Sequence, residues 1–351
     1  MNSGRNIILN TSTIKDALQR IDEVGTALSS LFIVNSEHKL MGTLTDGDIR
    51  RGLIKGMVLS DGVELIMQRS FKFVKDAQLK NYLVDLEEYR KRDIRFLPVV
   101  QEDGRILQIL DLDIVQDILP LDAFLLAGGK GERLLPVTRD LPKPLIMVGD
   151  KPIIGHNVAR MVRYGIKNIY ISVNYLAEKI EAYFGDGDTY GANVKYVREN
   201  QPLGTIGSIT LIDDELQDDV LVMNSDLLTN IDFTDFYRAY KKSGADMAVV
   251  VKPFYQDFPY AVVATDENNF VTGLQEKPRY TYYTNAGIYI VSRKLLTSLT
   301  KGVRLDATDF MEAVLKEGKK IYSYPIIKYW LDIGKPEDLK KALEDIKHLQ
   351  I

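Results

Sequence analysis

A glycine-rich stretch followed by two cations is the part of the sequence best suited to chemistry. Residues 123–126 are apolar and predict a buried parallel strand, which runs straight into the three glycines of residues 128–131. These glycines let the backbone turn sharply and present amide hydrogens without side chains in the way. Arg133 and Lys143 then supply two positive charges. The combination predicts a loop that receives a polyphosphate.

Two standard phosphate-binding motifs do not match this loop. The P-loop requires a Gly-Lys-Ser/Thr sequence, which the chain lacks. The dinucleotide fingerprint requires a third glycine where Leu134 stands, and leucine is poorly suited to close packing of helix on strand. Considered alone, the loop could equally be an ordinary strand-to-turn glycine cluster with surface cations.

The composition narrows the function classes. A length of 351 residues suggests about two domains, and 45% hydrophobic with 27% charged residues is typical of globular proteins. A net charge of −4 argues against a general nucleic-acid or membrane-surface binder. The absence of cysteine excludes disulfides, thiol nucleophiles and cysteine-ligated metals, and it fits a reducing compartment.

The remaining reactive side chains are carboxylates, cations and hydroxyls. The three histidines (His38, His156 and His348) are scattered, which argues against a histidine metal site or a histidine general base. No apolar run reaches the roughly 18 residues of a membrane span, and the N-terminus lacks the apolar core of a signal peptide. We therefore expect a cytoplasmic protein that binds neither nucleic acid nor membrane.

The first 120 residues contain an internal repeat of about 8–58 and 68–118. Each copy predicts a helix, two strands joined by a turn, and the start of another helix. The predicted helices are 13–21, 45–53, 76–89 and one opening at 111–114, and the predicted strands are 30–34, 40–44, 94–100 and 106–110. Two small α/β units of this kind bury their sheets against each other.

This region resembles a tandem pair of cystathionine-β-synthase (CBS) domains. The resemblance rests on residues 32–35, 42–50 and 94–100. It implies that Thr45 and Asp48 hold the phosphate and ribose of an adenine nucleotide, and a hydroxyl at a helix N-terminus and a carboxylate suit those groups.

The second CBS-like copy departs from this pattern. Leu107 or Gln108, and Leu110 or Asp111, stand where glycine and threonine are expected. One nucleotide site is therefore predicted rather than two. The pair could equally serve only packing and dimerisation, and we expect a homo-oligomer.

Residues 121–351 alternate strands and helices, which predicts a mostly parallel sheet with helices on both faces. The main predicted strands are 123–126, 168–173, 194–197, 220–223 and 247–251, and the predicted helices are 152–164, 177–184, 205–212, 234–243, 307–317 and 336–349. Ligands of such sheets bind at the carboxyl ends of the strands, where the glycine loop lies.

Two aspartates are candidate magnesium ligands. Asp226 follows the predicted strand 220–223 and would enter the same crevice as the glycine loop, which is how Mg²⁺ is commonly recruited. Asp332 lies two residues after Trp330, the only tryptophan. Taken singly, Asp226 could instead begin a turn, and Asp332 could be an acid preceding the helix that begins at Pro336.

Together these features resemble the sugar-1-phosphate nucleotidylyltransferases over residues 122–347. Seven segments match in family order: residues 126–138, 142–145, 201–205, 224–226, 276–278, 285–289 and 330–334. The resemblance implies a Rossmann-like α/β domain that converts a nucleoside triphosphate and a sugar 1-phosphate into a nucleotide-sugar and pyrophosphate, with Mg²⁺ as cofactor. The attacking phosphate oxygen is already ionised, so catalysis consists of positioning and charge neutralisation, without a general base.

The resemblance also implies residue roles. The catalytic cations are Arg133 and Lys143, and the Mg²⁺ ligands are Asp226 and Asp332. Nucleotide binding falls to Leu126, Ala127, Gly128, Gly129, Gly131, Gln201, Gly204 and Thr205, and sugar-phosphate binding to Glu276, Lys277, Asn285 and Gly287. Arg304, Asp306 and Asp309 are further candidates for the sugar pocket.

The nucleotide and the sugar are less constrained. Residues 202–208 resemble the guanylyltransferase branch, typified by mannose-1-phosphate guanylyltransferases, which favours GTP over UTP, dTTP or CTP. The two-part arrangement also resembles bacterial enzymes that make GDP-linked amino sugars such as GDP-glucosamine. The alternatives are another base, a phosphorylated alcohol that is not a sugar, and a catalytically silent nucleotide-sensing scaffold.

Overall fold

The computed structural model describes residues 6–24, 30–80 and 85–349. The chain divides into two compact units, and the division lies between Pro120 and Leu121. Within those described ranges, no helix is long and apolar enough to cross a membrane.

The N-terminal unit contains two copies of one motif. The first consists of β1 (Ile7–Leu9), α1 (Ile14–Val24), β2 (Ser30–Val34), β3 (Leu40–Thr45) and α2 (Asp46–Ile54). The second consists of β4 (Val74–Lys75), α3 (Asp76–Lys80), α4 (Leu86–Arg90), β5 (Phe96–Val100) and β6 (Ile106–Asp111). In each copy the first strand pairs parallel with the second, and the second antiparallel with the third. The two copies therefore share one pattern of strand pairing.

Each copy has its own apolar core, and the copies meet at their hairpin turns. Ile14, Leu31 and Ile49 are buried in the first copy, because the apolar residues of α1, β2 and α2 face inward. Backbone hydrogen bonds of 3.0 and 3.3 Å join Leu40 N to Gly104 O and Ile106 N to His38 O. The two turns therefore form one continuous backbone contact.

The second copy departs from the predicted helices. The predicted helix 76–89 is replaced by α3 and α4, while residues 81–84 lie outside the described part of the chain. The helix predicted to open at residues 111–114 is wrong, because the segment after β6 forms a turn. The Arg90 guanidinium donates to the carbonyl of Leu112 at 3.0 Å and to that of Val115, so these carbonyls do not accept helical bonds.

The C-terminal unit is organised around one large sheet. The strands of the whole unit, inside and outside this sheet, are β7 (Leu121–Leu126), β8 (Met147–Val148), β9 (Lys151–Pro152), β10 (Asn168–Val173), β11 (Asn193–Arg198), β12 (Asp219–Asn224), β13 (Leu227–Thr229), β14 (Met247–Asp257), β15 (Val262–Thr265), β16 (Val271–Gln275), β17 (Arg279–Ser292), β18 (Ile321–Pro325) and β19 (Trp330–Asp332). The sheet order is β11-β10-β7-β12-β17-β14-β18. Only β17 runs antiparallel to its neighbours, which confirms a mostly parallel sheet.

The helices of this unit are α5 (Ile153–Arg163), α6 (Ala177–Phe184), α7 (Gly204–Gly207), α8 (Phe233–Ser243), α9 (Arg293–Thr297), α10 (Ala307–Lys316) and α11 (Pro336–Asp345). The predicted helix 205–212 is only one α-helical turn, α7, continued by a 3₁₀ turn, Ser208–Leu211. The reason is tertiary: Ile206 N and Gly207 N donate to Leu305 O at 2.9 and 3.1 Å. The last helix was predicted over residues 336–349 and is shorter in the structure, since α11 ends at Asp345.

The carboxyl ends of β7, β10 and β12 lie at one edge of the sheet, because the paired residues of these parallel strands end together. The glycine loop follows β7 at this edge, and Asp226 follows β12. Beyond the same edge, residues 252–257 of β14 pair with residues 279–284 of β17 to form a projecting two-stranded arm.

Candidate active site

The glycine loop is shaped by one left-handed residue. Gly131 has φ of +65°, and a Cβ atom there would lie 2.9 Å from the Cβ of Lys143 and 3.1 Å from the Cγ2 of Thr138. Thr138 Oγ1 donates to Gly131 O at 2.9 Å. A side chain at position 131 would thus be both strained and obstructed. Lys143 therefore packs directly against the glycine loop.

The turn that carries Asp226 is held by hydrogen bonds from two elements. Ser225 Oγ donates to Leu126 O, the last residue of β7, at 2.6 Å. The amide of Asn157 on α5, which is 2% exposed, donates to the carbonyls of Ser225 at 3.3 Å and Leu227 at 3.0 Å. Asp226 is therefore presented from a rigid turn next to the glycine loop.

A second strand pair brings Asp332 beside Asp226. β13 and β19 are antiparallel, with Leu227 opposite Asp332, and Ile333 N donates to Asp226 O at 3.2 Å. Lys143 Nζ donates to Asp226 Oδ2 and lies 3.9 Å from Asp332 Oδ1. Three residues that are far apart in the sequence thus form one charged cluster.

The two carboxylates have acceptor capacity left over. Asp226 Oδ1 and Asp332 Oδ1 are buried and have no hydrogen-bond partner. Burial raises the pKa of Asp332, and the neighbouring charge of Asp226 raises it further, while Lys143 and Arg133 oppose the shift. The guanidinium of Arg133 lies close to Gly334, two residues after Asp332, since a Cβ at Gly334 would lie 3.4 Å from it. Buried oxygens without donors are unfavourable unless a ligand completes the site.

Two adjoining cavities meet at this cluster. The larger, of about 590 Å³, is lined by the glycine loop and contains the side chains of Lys130, Arg133 and Lys143. The smaller, of about 320 Å³, is lined in the described structure by three carboxylates, Glu199, Asp226 and Asp306, and by no cation. Leu126, Gly128, Gly129, Pro202 and Asp226 line both cavities. The larger cavity has three cations against two carboxylates, Glu132 and Asp226, and is the cationic part of the cleft, while the smaller cavity is its acidic part.

Glu199 is a site residue that the sequence reasoning missed. It directly follows β11, and its carboxylate accepts from Ser172 Oγ and, at 3.0 Å, from Leu203 N. A Cβ at Gly128 would lie 3.1 Å from Glu199 Oε1. The available signal was its position at the carboxyl end of a parallel strand, the same argument that identified Asp226.

The predicted nucleotide residues fall mostly on the cavity walls. Leu126, Ala127, Gly128, Gly129 and Gly131 line the larger cavity, and Gly204 and Thr205 line the smaller one. Gln201 is exposed and lines neither. Thr205 N donates to Asp306 Oδ1 at 3.2 Å, which ties the segment after β11 to the start of α10.

The predicted sugar-phosphate residues lie outside both cavities. Glu276 and Lys277 are exposed between β16 and β17, just before the projecting arm begins at Arg279. Asn285 accepts from Gly287 N at 2.9 Å and donates to Tyr289 OH at 2.9 Å. Its side chain therefore bonds to other residues of the middle of β17. Gly287 packs against Asn224, which lines the smaller cavity, since a Cβ at Gly287 would lie 2.5 Å from Asn224 Nδ2. The roles of all four residues stay predictions.

Comparisons with known proteins identify the family. Residues 122–348 match the family model described as nucleotidyl transferase, which is more than half of the chain. The chain belongs to the nucleotidyl transferase family. Residues 7–55 match the CBS domain model, and the second copy repeats the strand pairing of the first.

Two curated relatives are similar to this chain over part of its length. The mannose-1-phosphate guanylyltransferase of Mycobacterium tuberculosis is 32% identical over 231 residues, 64% of this chain and 64% of that protein. The UTP–glucose-1-phosphate uridylyltransferase of Synechocystis sp. is 29% identical over 255 residues, 66% of each. The chain thus spans less than two thirds of either relative.

A crystal structure of a candidate glucose-1-phosphate thymidylyltransferase from Bacillus anthracis has a TM-score of 0.53 at 23% identity. The match covers 66% of this chain and 97% of that one. At this level of identity the match shows that the two proteins share a fold.

In the CBS region, Thr45 and Asp48 form a capping box at the start of α2. Asp48 is 5% exposed; its Oδ2 accepts from Thr45 N and Oγ1 at 2.9 and 2.6 Å, and its Oδ1 from Arg51 and Gln68 at 2.7 and 2.9 Å. A ribose hydroxyl would have to displace one of these donors. The adenine nucleotide stays a prediction, which titration calorimetry of the full chain with AMP, ADP and ATP would test.

We expect Asp48→Asn to destabilise the N-terminal unit by about 1–3 kcal/mol, because an amide turned toward the donors leaves buried groups unpaired. Burial raises the pKa of Asp48, but the bonds from Thr45, Gln68 and Arg51 outweigh it and hold the pKa below its usual value. This contribution to stability is therefore complete above the ordinary pKa of about 3.9 and is lost as the pH falls further. Urea unfolding monitored by circular dichroism measures the change.

Asp46→Asn is the matched control for this substitution. Asp46 lies on the same turn but pairs with Arg50 at the exposed surface, so its loss should cost about 0.5 kcal/mol or less. Equal effects of the two substitutions would contradict a buried capping role for Asp48.

Proposed function

We propose that the C-terminal unit transfers a nucleotidyl group from a nucleoside triphosphate to a sugar 1-phosphate. The observation that carries this proposal is the convergence of Arg133, Lys143, Asp226 and Asp332 beside the glycine loop. In the reaction, an oxygen of the sugar phosphate forms a bond to the α-phosphorus, and the bond from that phosphorus to the bridging oxygen breaks. Pyrophosphate leaves with the electron pair.

The cationic part of the cleft suits the triphosphate. Lys130, Arg133 and Lys143 line the larger cavity together with the glycine loop. The nucleophile needs no deprotonation, so the residues have two tasks: to hold two polyanions in line and to neutralise charge on the leaving group. Asp226 and Asp332 then stand where the two reactants meet.

The two carboxylates fit Mg²⁺. Their free buried oxygens are hard donors, and Mg²⁺ typically takes one or two carboxylates with phosphate and water as its other ligands. When bound, Mg²⁺ would neutralise charge on the phosphate oxygens.

Glu199 supports GTP as the nucleotide. The Watson–Crick edge of guanine carries two adjacent donors, N1–H and the 2-amino group, and a carboxylate can accept from both. Uracil and thymine carry a single N3–H between two carbonyl oxygens, which a carboxylate would repel. The acidic cavity beside Gly128 is therefore better matched to guanine. The product would be a GDP-sugar, of the GDP-mannose or GDP-glucosamine type.

A matrix of nucleotides and acceptors tests this proposal. The full chain with MgCl₂ is incubated with each of GTP, UTP, dTTP, CTP and ATP against mannose, glucose and glucosamine 1-phosphates, and pyrophosphate release is measured. We expect the highest rate with GTP. No release with any pair would remove the transferase proposal, whereas release with UTP alone would remove only the guanine assignment.

We expect Glu199→Gln to lower kcat/KM for GTP on the order of 10²-fold while changing that for UTP little. The carboxamide presents an N–H toward the guanine donors and removes a charge-assisted hydrogen bond, which contributes about 1.5–3 kcal/mol. Steady-state kinetics with both nucleotides measure the change in preference. Glu178→Gln, an exposed position on α6, is the matched control. An unchanged GTP-to-UTP ratio in Glu199→Gln would exclude Glu199 from base selection.

A further inference from the structure

We infer that Lys143 acts as a removable counter-ion that keeps divalent cations out of the Asp226–Asp332 pair until a polyphosphate draws it away. The inference rests on the proposed function and adds an order to it: the nucleotide binds before the metal, or together with it. It rests on the contacts of Lys143 with the two carboxylates.

The ammonium group of Lys143 already partly neutralises the two carboxylates. Lys143 Nζ donates to Asp226 Oδ2 and lies 3.9 Å from Asp332 Oδ1. The side chain of Lys143 is 10% exposed and that of Asp226 24%, so water screens their contact only partly, whereas Asp332 is 44% exposed and its contact is screened more. Among the residues that the structure describes, Lys143 is the only cation within 4.0 Å of either carboxylate. A metal ion bound to the same carboxylates would be repelled by this positive charge.

The backbone of Lys143 cannot move aside, but its side chain can. Lys143 begins a 3₁₀ turn, Lys143–Leu145, between the buried residues Pro142 and Pro144. Leu145 N bonds Pro142 O at 2.8 Å, and the Lys143 Cβ lies against Gly131. The four-carbon stem is flexible, and the ammonium has three donors that can exchange acceptors.

The competing acceptor lies in the same cavity. Lys143 lines the larger cavity together with the glycine loop and Arg133, where the triphosphate is proposed to bind. A triphosphate carries several negative charges against the single charge of a carboxylate, so it can attract the ammonium of the flexible side chain. Once Lys143 turns toward phosphate, Asp226 and Asp332 are two adjacent anions with unmet acceptor capacity. Metal affinity should therefore rise when this lysine is removed or engaged elsewhere.

Titration calorimetry with MnCl₂ on the full chain without nucleotide tests the inference. The wild type should bind Mn²⁺ weakly, and Lys143→Met should bind it at least about tenfold more tightly, because removing one unit charge at contact distance is worth this much even when strongly screened. Lys130→Met removes an equal charge from the exposed side of the same cavity and should change the affinity less than about twofold. Adding Asp226→Asn to Lys143→Met should abolish the gain.

Equal Mn²⁺ affinity of the wild type and Lys143→Met would overturn the inference, as would equal gains from the Lys130 and Lys143 substitutions. Methionine keeps the apolar stem, and thermal unfolding checks that the variant is folded; if it is not, Lys143→Gln replaces it. The two proposals fail separately. Pyrophosphate release together with equal Mn²⁺ affinities of the wild type and Lys143→Met would support the transferase proposal and exclude the counter-ion role. A tenfold gain in Mn²⁺ affinity without pyrophosphate release would support the counter-ion role and exclude the transferase proposal.

Discussion

Asp226→Asn should lower the rate of pyrophosphate release by about 10²–10³-fold, the loss that follows when one preorganised electrostatic group is removed. The amide keeps the shape of the side chain, and the turn is held by Ser225 and Asn157 through backbone carbonyls, so the fold should persist. What disappears is the charge that faces both Lys143 and the proposed Mg²⁺. Initial rates with saturating GTP and sugar 1-phosphate measure the effect.

Asp140→Asn is the control for this substitution, since Asp140 is exposed and its backbone carbonyl, not its carboxylate, accepts from Lys179. Its turnover should match that of the wild type. Unchanged turnover in Asp226→Asn would take this carboxylate out of the mechanism, whatever its place beside Asp332.

Gly131→Ala should both destabilise the C-terminal unit and reduce turnover. An alanine at φ of +65° is strained by about 1–2 kcal/mol, and its Cβ would stand 2.9 Å from the Cβ of Lys143 and 3.1 Å from Thr138. Relief requires moving either the loop or Lys143, and both belong to the proposed triphosphate site. We expect a loss of about 1–3 kcal/mol in the free energy of unfolding and a fall in turnover on the order of 10²-fold.

Gly129→Ala is the matched control, because position 129 has neither the left-handed φ nor the close neighbours of position 131. Gly129 lies two residues away in the same loop, and a Cβ there meets no atom within 4 Å. Its free energy of unfolding should stay within about 0.5 kcal/mol of the wild type in urea titrations. If the two alanine variants were equally stable, the left-handed geometry of Gly131 would not be what shapes the loop.

Where the local sequence pattern and the tertiary environment favour the same structure, the sequence predicts the bounds of an element to the exact residue. β10 (Asn168–Val173) and α6 (Ala177–Phe184) have the predicted bounds, because their apolar spacing is regular and glycines at 165 and 185 stop the adjoining helices. α7 and the turn after β6 show the opposite case. Their backbone groups bond to Leu305 and Arg90, which lie far from them in the chain, so helical periodicity alone was misleading.

The site divides in the same way. The amino-acid sequence by itself determined the glycine loop, its cations and an aspartate at the end of a buried strand, because these depend on residue type and on strand direction. The family resemblance already implied that Asp226 and Asp332 serve one Mg²⁺. Only the tertiary structure shows what brings them together, the pairing of β13 with β19, and that Lys143 lies against both the glycine loop and Asp226.

Glu199 belongs to this second group, and so do the exposed positions of Glu276 and Lys277 on the arm. The physical reason is that strand register and side-chain contact between distant segments are set by the packing of the whole sheet. No short stretch of sequence contains that information.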